Sequence, residues 1–118
     1  AHVGQNNVVL TVTDVNGNSS TANAVVTVVD DIDPTALAQN VTIYLDANGN
    51  ASTTDEAVDN SSADNCGIAS LALDIADFTC AHVGQNDVVL TVTDVNGNSS
   101  TANAVVTVVD DIDPTALA

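Results

Sequence analysis

The stretch from Val88 to Val109, VVLTVTDVNGNSSTANAVVTVV, is two alternating runs around an Asn-Gly turn. Leu90 and Val92 fall on one face opposite Ala104, Val106 and Val108, while Thr91, Thr93 and Thr107 line the other. A period of two with β-branched residues describes half-buried antiparallel strands, because successive side chains point to opposite faces. Asn96-Gly97 supplies the pair with φ > 0 that a tight hairpin prefers. Val88 to Thr93 and Thr101 to Val109 are therefore read as a hairpin.

The same pattern occurs twice. Residues 1–38 recur as residues 81–118 with one change, Asn7 becoming Asp87, so the period is 80 residues. That is too long for a solenoid coil and about the length of one small β-sandwich. Between the copies, Gln39 to Leu45 reads as a strand closed by Asp46-Ala47-Asn48-Gly49-Asn50, with Ala51 to Thr54 returning as its partner. Asp59 to Asn65 reads as an acidic loop, Gly67 to Leu73 as a strand and Phe78 to Cys80 as a short extended run. The fold class expected is all-β, an immunoglobulin-like antiparallel sandwich in tandem 80-residue repeats.

Boundaries follow from the acidic linker Asp30-Asp31-Ile32-Asp33-Pro34 and its copy Asp110-Asp111-Ile112-Asp113-Pro114, where Pro ends strand pairing. Residues 34–113 then form one complete repeat. Residues 1–33 are the last half of a preceding repeat, unable to fold alone, and residues 114–118 begin the next. The missing strands come from an upstream stretch or from a neighbouring chain.

Composition restricts function. The 118 residues include 16 Asp plus Glu and no Lys or Arg, a formal charge of −16 with both histidines neutral. Such a polyanion cannot neutralise phosphates, which excludes nucleic acid and anionic membrane surfaces as partners. No run approaches the roughly 20 apolar residues of a membrane-spanning helix. Apolar residues make up 45% of the chain, enough for a folded core, and they are mostly Val and Ala, with Tyr44 and Phe78 the only aromatics.

The repeat resembles the hyalin-repeat (HYR-like) immunoglobulin-fold modules of bacterial surface proteins. The matching stretches are Val83-Gly84-Gln85-Asn86, the run through Asp94-Val95-Asn96-Gly97-Asn98, the last Val-rich strand into Asp-Asp-Ile-Asp-Pro, and Asp64-Asn65-Cys66-Gly67. The resemblance implies a sandwich strung in arrays as an extracellular structural or adhesive element. The chain departs from that family's mixed charge by lacking every Lys and Arg.

Two sites are expected. Cys66 and Cys80 would close a short loop, worth about 3 kcal/mol in the chain-entropy model, and a disulfide in an oxidising compartment is favoured over zinc, since only His82 stands near in sequence. The acidic loops would bind calcium, which takes six to eight oxygen ligands. Asp46 and Asp94 each begin Asp-x-Asn-Gly-Asn, which is no EF-hand: Gly is fourth and the twelfth residues are Ala57 and Val105. Sandwich topology would gather Asp30, Asp31, Asp33, Asp59, Asp64, Asn65, Asp94 and Asn96 at the end where the chain enters. Asp46 and Asn48 would lie at the other, near Asp110, Asp111 and Asp113. The competing reading is ordinary turn chemistry on a solvated acidic surface.

No nucleophile elbow, phosphate loop or zinc-protease run is present, and His82 has no nucleophile beside it, so no enzymatic activity is expected. The reading is a structural repeat of an extracellular bacterial filament or surface stalk, rigidified by calcium at its joints and partnered by neighbouring identical repeats or subunits. The alternatives are an adhesin binding a glycan, surface or matrix ligand, and a donor-strand polymer of separate chains.

Overall fold

A computed structural model describes residues 2–118, and the chain divides into two compact units, residues 1–31 and 32–118. The protein is predominantly β. The first unit is one antiparallel hairpin of β1 (Gly4–Thr13) and β2 (Ser19–Val28).

The second unit contains β3 (Val41–Tyr44), β4 (Asn50–Ser52), a single helical turn α1 (Asp55–Val58), β5 (Ile68–Leu73), β6 (Asp77–Thr79), β7 (Gly84–Asp94) and β8 (Ser99–Val109). Four strands form a sheet in the order β3-β8-β7-β5, and β4 pairs with β6 in a separate ribbon. β5–β7 and β7–β8 are antiparallel, whereas β3 lies parallel to β8, with Val41 beside Val106 and Tyr44 beside Val109. The first and last strands of the unit are thus neighbours.

Alternation along β7 and β8 buries Val88, Leu90, Val92, Ala104, Val106 and Val108 on one face. They cluster with Phe78 of the β4–β6 ribbon, Leu45 and Val58. In a core of Val and Ala, Phe78 is the one large ring and fills volume that small side chains leave open. Ala51 sits opposite it in the ribbon, its short side chain leaving that volume to the ring.

One pairing differs from the sequence reading. The strand after Asp46-Ala47-Asn48-Gly49-Asn50 does not return along Val41–Tyr44 but crosses to pair with Asp77–Thr79. The turn itself closes as expected, with Asp46 N–H on the Asn50 carbonyl at 2.9 Å and Gly49 N–H on the Asp46 carbonyl at 3.0 Å. Turn chemistry fixes a reversal of direction, but packing of Ala51 and Phe78 decides the partner strand. Meanwhile Leu45 N–H is taken by the Val109 carbonyl at 2.9 Å, holding β3 on β8.

Helix α1 was not foreseen from the sequence. Thr54 caps it by accepting a bond from Ala57 N–H at 3.1 Å, and Asp55 and Glu56 occupy its positive N-terminal turn. The run Thr54-Asp55-Glu56 was a readable start signal, although a turn this short has no room for apolar periodicity. It carries Val58 into the core.

The two copies of the 38-residue sequence form hairpins of identical register, Gly4↔Val28 through Thr13↔Ser19 and Gly84↔Val108 through Thr93↔Ser99. Their surroundings differ. Leu10 is 61% exposed and its counterpart Leu90 0%; Val26 is 48% exposed and Val106 0%. Leu90→Ala is therefore expected to destabilise the second unit by about 2–5 kcal/mol through a core cavity, while Leu10→Ala shifts stability by less than about 0.5 kcal/mol. Paired chemical denaturation curves check this contrast.

Candidate functional site: the acidic turns and the two ends of the second unit

Three turns share the sequence Asp-x-Asn-Gly-Asn, and in all three the Asp Oδ1 accepts the same two backbone N–H bonds. Asp94 Oδ1 accepts from the N–H groups of Asn96 at 2.8 Å and Asn98 at 2.9 Å, and its Oδ2 accepts from Asn98 Nδ2 at 2.9 Å. Asp14 repeats the set with Asn16 and Asn18 at 2.8, 2.9 and 3.0 Å. Asp46 Oδ1 accepts from Asn48 and Asn50 N–H at 2.9 and 3.0 Å. In each turn glycine alone takes the left-handed conformation, φ +88° at Gly17, +79° at Gly49 and +91° at Gly97. The expected φ > 0 pair at Asn96-Gly97 is thus a single left-handed glycine behind a tight turn centred on Val95 and Asn96.

These bonds bear on calcium. Asp94 is 1% exposed, and its two carboxylate oxygens are already held by N–H donors of its own loop. A buried carboxylate paired this way braces its turn. Burial of a charge without a cation is tolerable here because these donors replace its hydration.

Asp64 is different. Its Oδ2 accepts from Cys66 N–H at 2.9 Å and Gly67 N–H at 3.2 Å, but its Oδ1 is buried with no hydrogen-bond partner. The loop meets the Asp94 turn where Val95 N–H donates to the Gly67 carbonyl at 3.1 Å. Asp64, Asn65, Asp94 and Asn96 therefore stand at one end of the sheet. Asp59 bridges to Ala38, and its Oδ1 accepts from Ser62 N–H at 3.1 Å. The acidic linker is divided between the units: Asp30 and Asp31 close the first, whereas Asp33 lies in the second.

At the other end, Asp46, Asn48, Gly49, Cys80, Asp110, Asp113 and Pro114 line one open cleft. Asp110 Oδ1 caps Ile112 N–H at 3.2 Å, and Asp111 is exposed outside that cleft. The sequence reading placed Asp46 and Asn48 with Asp110, Asp111 and Asp113; Asp46, Asn48, Asp110 and Asp113 line this cleft and Asp111 does not.

The two cysteines are not joined, which corrects the expected disulfide. Ile68 stands opposite Asp94, so Cys66 lies at the Asp94 end of β7; Cys80 lies four residues before Gly84, at its start. Ten strand steps separate those ends, about 34 Å at normal strand rise, whereas a disulfide needs Cα atoms within about 7 Å. Proximity in sequence was misleading because β5 and β6 carry the chain from one end of the sheet to the other. Cys80 Sγ instead approaches the Gly49 carbonyl at 3.8 Å, and a Cβ on residue 49 would come within 2.7 Å of that sulfur. Its neighbour His82 accepts from Thr79 N–H at Nδ1, 3.0 Å, and sets its ring edge-on to Phe78 at 5.5 Å. His82 thus braces a short turn, with the Thr79 hydroxyl 3.4 Å from the same Nδ1.

No helix among the described residues is long and apolar enough to cross a membrane. No family model matches the chain, and no curated protein matches it either.

Two predictions follow from this geometry. The melting temperature of the second unit will be the same with and without reductant, and mass mapping will find no Cys66–Cys80 link within a chain. The second concerns Asp14, whose carboxyl is held below the ordinary carboxylate value by the side-chain bond from Asn18, then by the backbone bonds. A depressed pKa in the folded hairpin means the turn is fully supported above the ordinary value and loses that support as pH falls through the depressed one. Asn18→Ala should raise the Asp14 midpoint toward the ordinary value in an NMR titration.

Proposed function

We propose that the chain is a piece of a structural stalk or filament at the bacterial cell exterior, built from 80-residue immunoglobulin-like sandwich repeats and stiffened by calcium at the joints. The sheet order β3-β8-β7-β5, faced by the β4–β6 ribbon across Phe78, supports the sandwich. Near-identity of residues 1–38 and 81–118 supports an array in which each repeat has the same task, which a stalk needs and an enzyme rarely does. Extracellular placement draws on the resemblance to hyalin-repeat modules alone, since the disulfide argument for an oxidising compartment falls with the distance between the cysteines.

The observation that carries the calcium reading is Asp64 Oδ1, a buried carboxylate oxygen without a donor in a chain that has no Lys or Arg. An oxygen in that state costs free energy unless something positive meets it. A divalent cation that takes carboxylate, amide and backbone oxygens suits the Asn- and Asp-rich loops around it. Asp46, Asp110 and Asp113 with Asn48 offer a second oxygen cluster at the opposite end. Ions at both ends of each repeat would remove hinge freedom from the acidic linkers.

Calcium at about one hundred times its dissociation constant should add about 2.7 kcal/mol to the stability of the full chain, seen as a rise in melting temperature that chelator reverses. Asp64→Asn should reduce the rise, the Asp46, Asp110 and Asp113 cluster supplying the remainder, while leaving the calcium-free melt nearly unchanged. A melt indifferent to calcium and chelator, or a rise undiminished in Asp64→Asn, would overturn the assignment.

A further inference from the structure

The complete repeat carries one exposed cysteine at either end. At the exit end, Cys80 lines the cleft it shares with Asp110, Asp113 and Pro114, its Sγ 3.8 Å from the Gly49 carbonyl. Pro114 is the copy of Pro34 and already belongs to the following repeat. At the entry end, Pro34 is buried, and the next residue, Thr35, exchanges N–H to carbonyl bonds of 2.7 and 3.0 Å with Ala63. Cys66 follows Ala63 by three residues, in the turn that Asp64 Oδ2 closes by accepting the Cys66 N–H at 2.9 Å.

In an array, Thr115 makes in the next repeat the bridge that Thr35 makes here. Partners across an antiparallel bridge lie about 5 Å apart, and three residues span at most about 10 Å. The next repeat's Cys66 therefore stands within about 15 Å of Thr115, whose neighbour Pro114 lines the Cys80 cleft. Within one repeat, the length of β7, about 34 Å, lies between the same two cysteines. The joint is where the cysteines of an array approach each other.

We propose that Cys80 of one repeat and Cys66 of the next form a disulfide across the joint. The proposal rests on the tandem-array reading and not on calcium. The oxidant is a small-molecule disulfide of an oxidising compartment. One protein thiolate attacks its S–S bond and releases one thiol, and the second protein thiolate then displaces the other. The two cysteines lose two protons and two electrons, and the oxidant leaves as two thiols.

The bond closes a ring that runs from Cys80 through β7, β8 and the linker Asp110-Asp111-Ile112-Asp113-Pro114 into the next repeat. All five linker residues are exposed, and a peptide bond cut there leaves the two repeats joined through sulfur. One repeat alone cannot close this bond, in agreement with the separation of its own two cysteines.

The test extends the full chain by one period, with a second copy of residues 39–118 joined after Ala118. Cys66→Ser in the first repeat with Cys80→Ser in the second keeps the pair that faces the joint, and the converse substitutions keep the pair at the far ends. Each variant is incubated with oxidised glutathione and read by thiol titration, intact mass and non-reducing electrophoresis. The joint pair is expected to lose both thiols and two hydrogens of mass as a monomer, while the far pair takes up glutathione and stays unlinked. A joint pair that ends as glutathione adducts or as links between separate chains overturns the inference, as does equal linkage of the far pair. Far-ultraviolet circular dichroism separates the two readings. Strand signal from the added repeat without a link overturns the disulfide alone, whereas an added repeat that contributes none overturns the array reading with it.

Discussion

Everything in the second unit depends on one contact, the closure of the apolar face of β7–β8 by Phe78, Leu45 and Val58. The hairpin itself is specified locally, by alternation and by the Asp-x-Asn-Gly-Asn turn, and it forms in the same register at both places in the chain. What local sequence does not supply is burial. A two-stranded ribbon alone has nowhere to put its valines, and a lone hairpin is marginal in water. The difference between the two copies is therefore entirely tertiary. One sequence gives one backbone, but only the copy that meets residues 34–80 gains a core.

The acidic residues divide into two kinds on the same grounds. Asp14 and Asp94 accept N–H donors of their own loops at both oxygens, and they serve the backbone whether exposed, as Asp14 is, or buried, as Asp94 is, whereas Asp46 holds its turn through Oδ1. Asp64, with one oxygen buried and unmet, and the Asp46, Asp110 and Asp113 cleft are the places where charge is left over. Net charge alone could not make that distinction. A count of 16 carboxylates describes solubility and partners, whereas the direction of each oxygen describes a site.

Much of the fold was legible. Period-two alternation located Leu90, Val92, Ala104, Val106 and Val108 as core, and the Asp-Asn-Gly turns were readable because their chemistry is local. Pairing beyond neighbours was not legible. The crossing of Asn50–Ser52 to Phe78 and the parallel seat of Val41–Tyr44 on β8 depend on distant packing, which no short window contains. The cysteines failed for the same reason: fourteen positions of separation looked like a short loop, but two strands fill them and hold the thiols at opposite ends. At the site, the grouping of Asp46 with Asp110 and Asp113 was readable from the order of the strands, while the orphaned oxygen of Asp64 needed atomic geometry.

The parallel seat of β3 on β8 has a mechanical meaning. The chain enters the unit ahead of Val41 and leaves it beyond Val109, and those two strands run side by side in the same direction. Tension along the chain pulls β3 backward and β8 forward, sliding one past the other. The ladder from Val41 to Tyr44 is then loaded in shear, together with the bonds from Leu45 N–H to Val109 and from Val105 N–H to Asn40 Oδ1. All must yield at once, whereas an antiparallel hairpin pulled from its open end unzips one rung at a time. The first and last strands of this unit act as a clasp against stretching, and the small Val/Ala core behind them is shielded from the load until the clasp gives way.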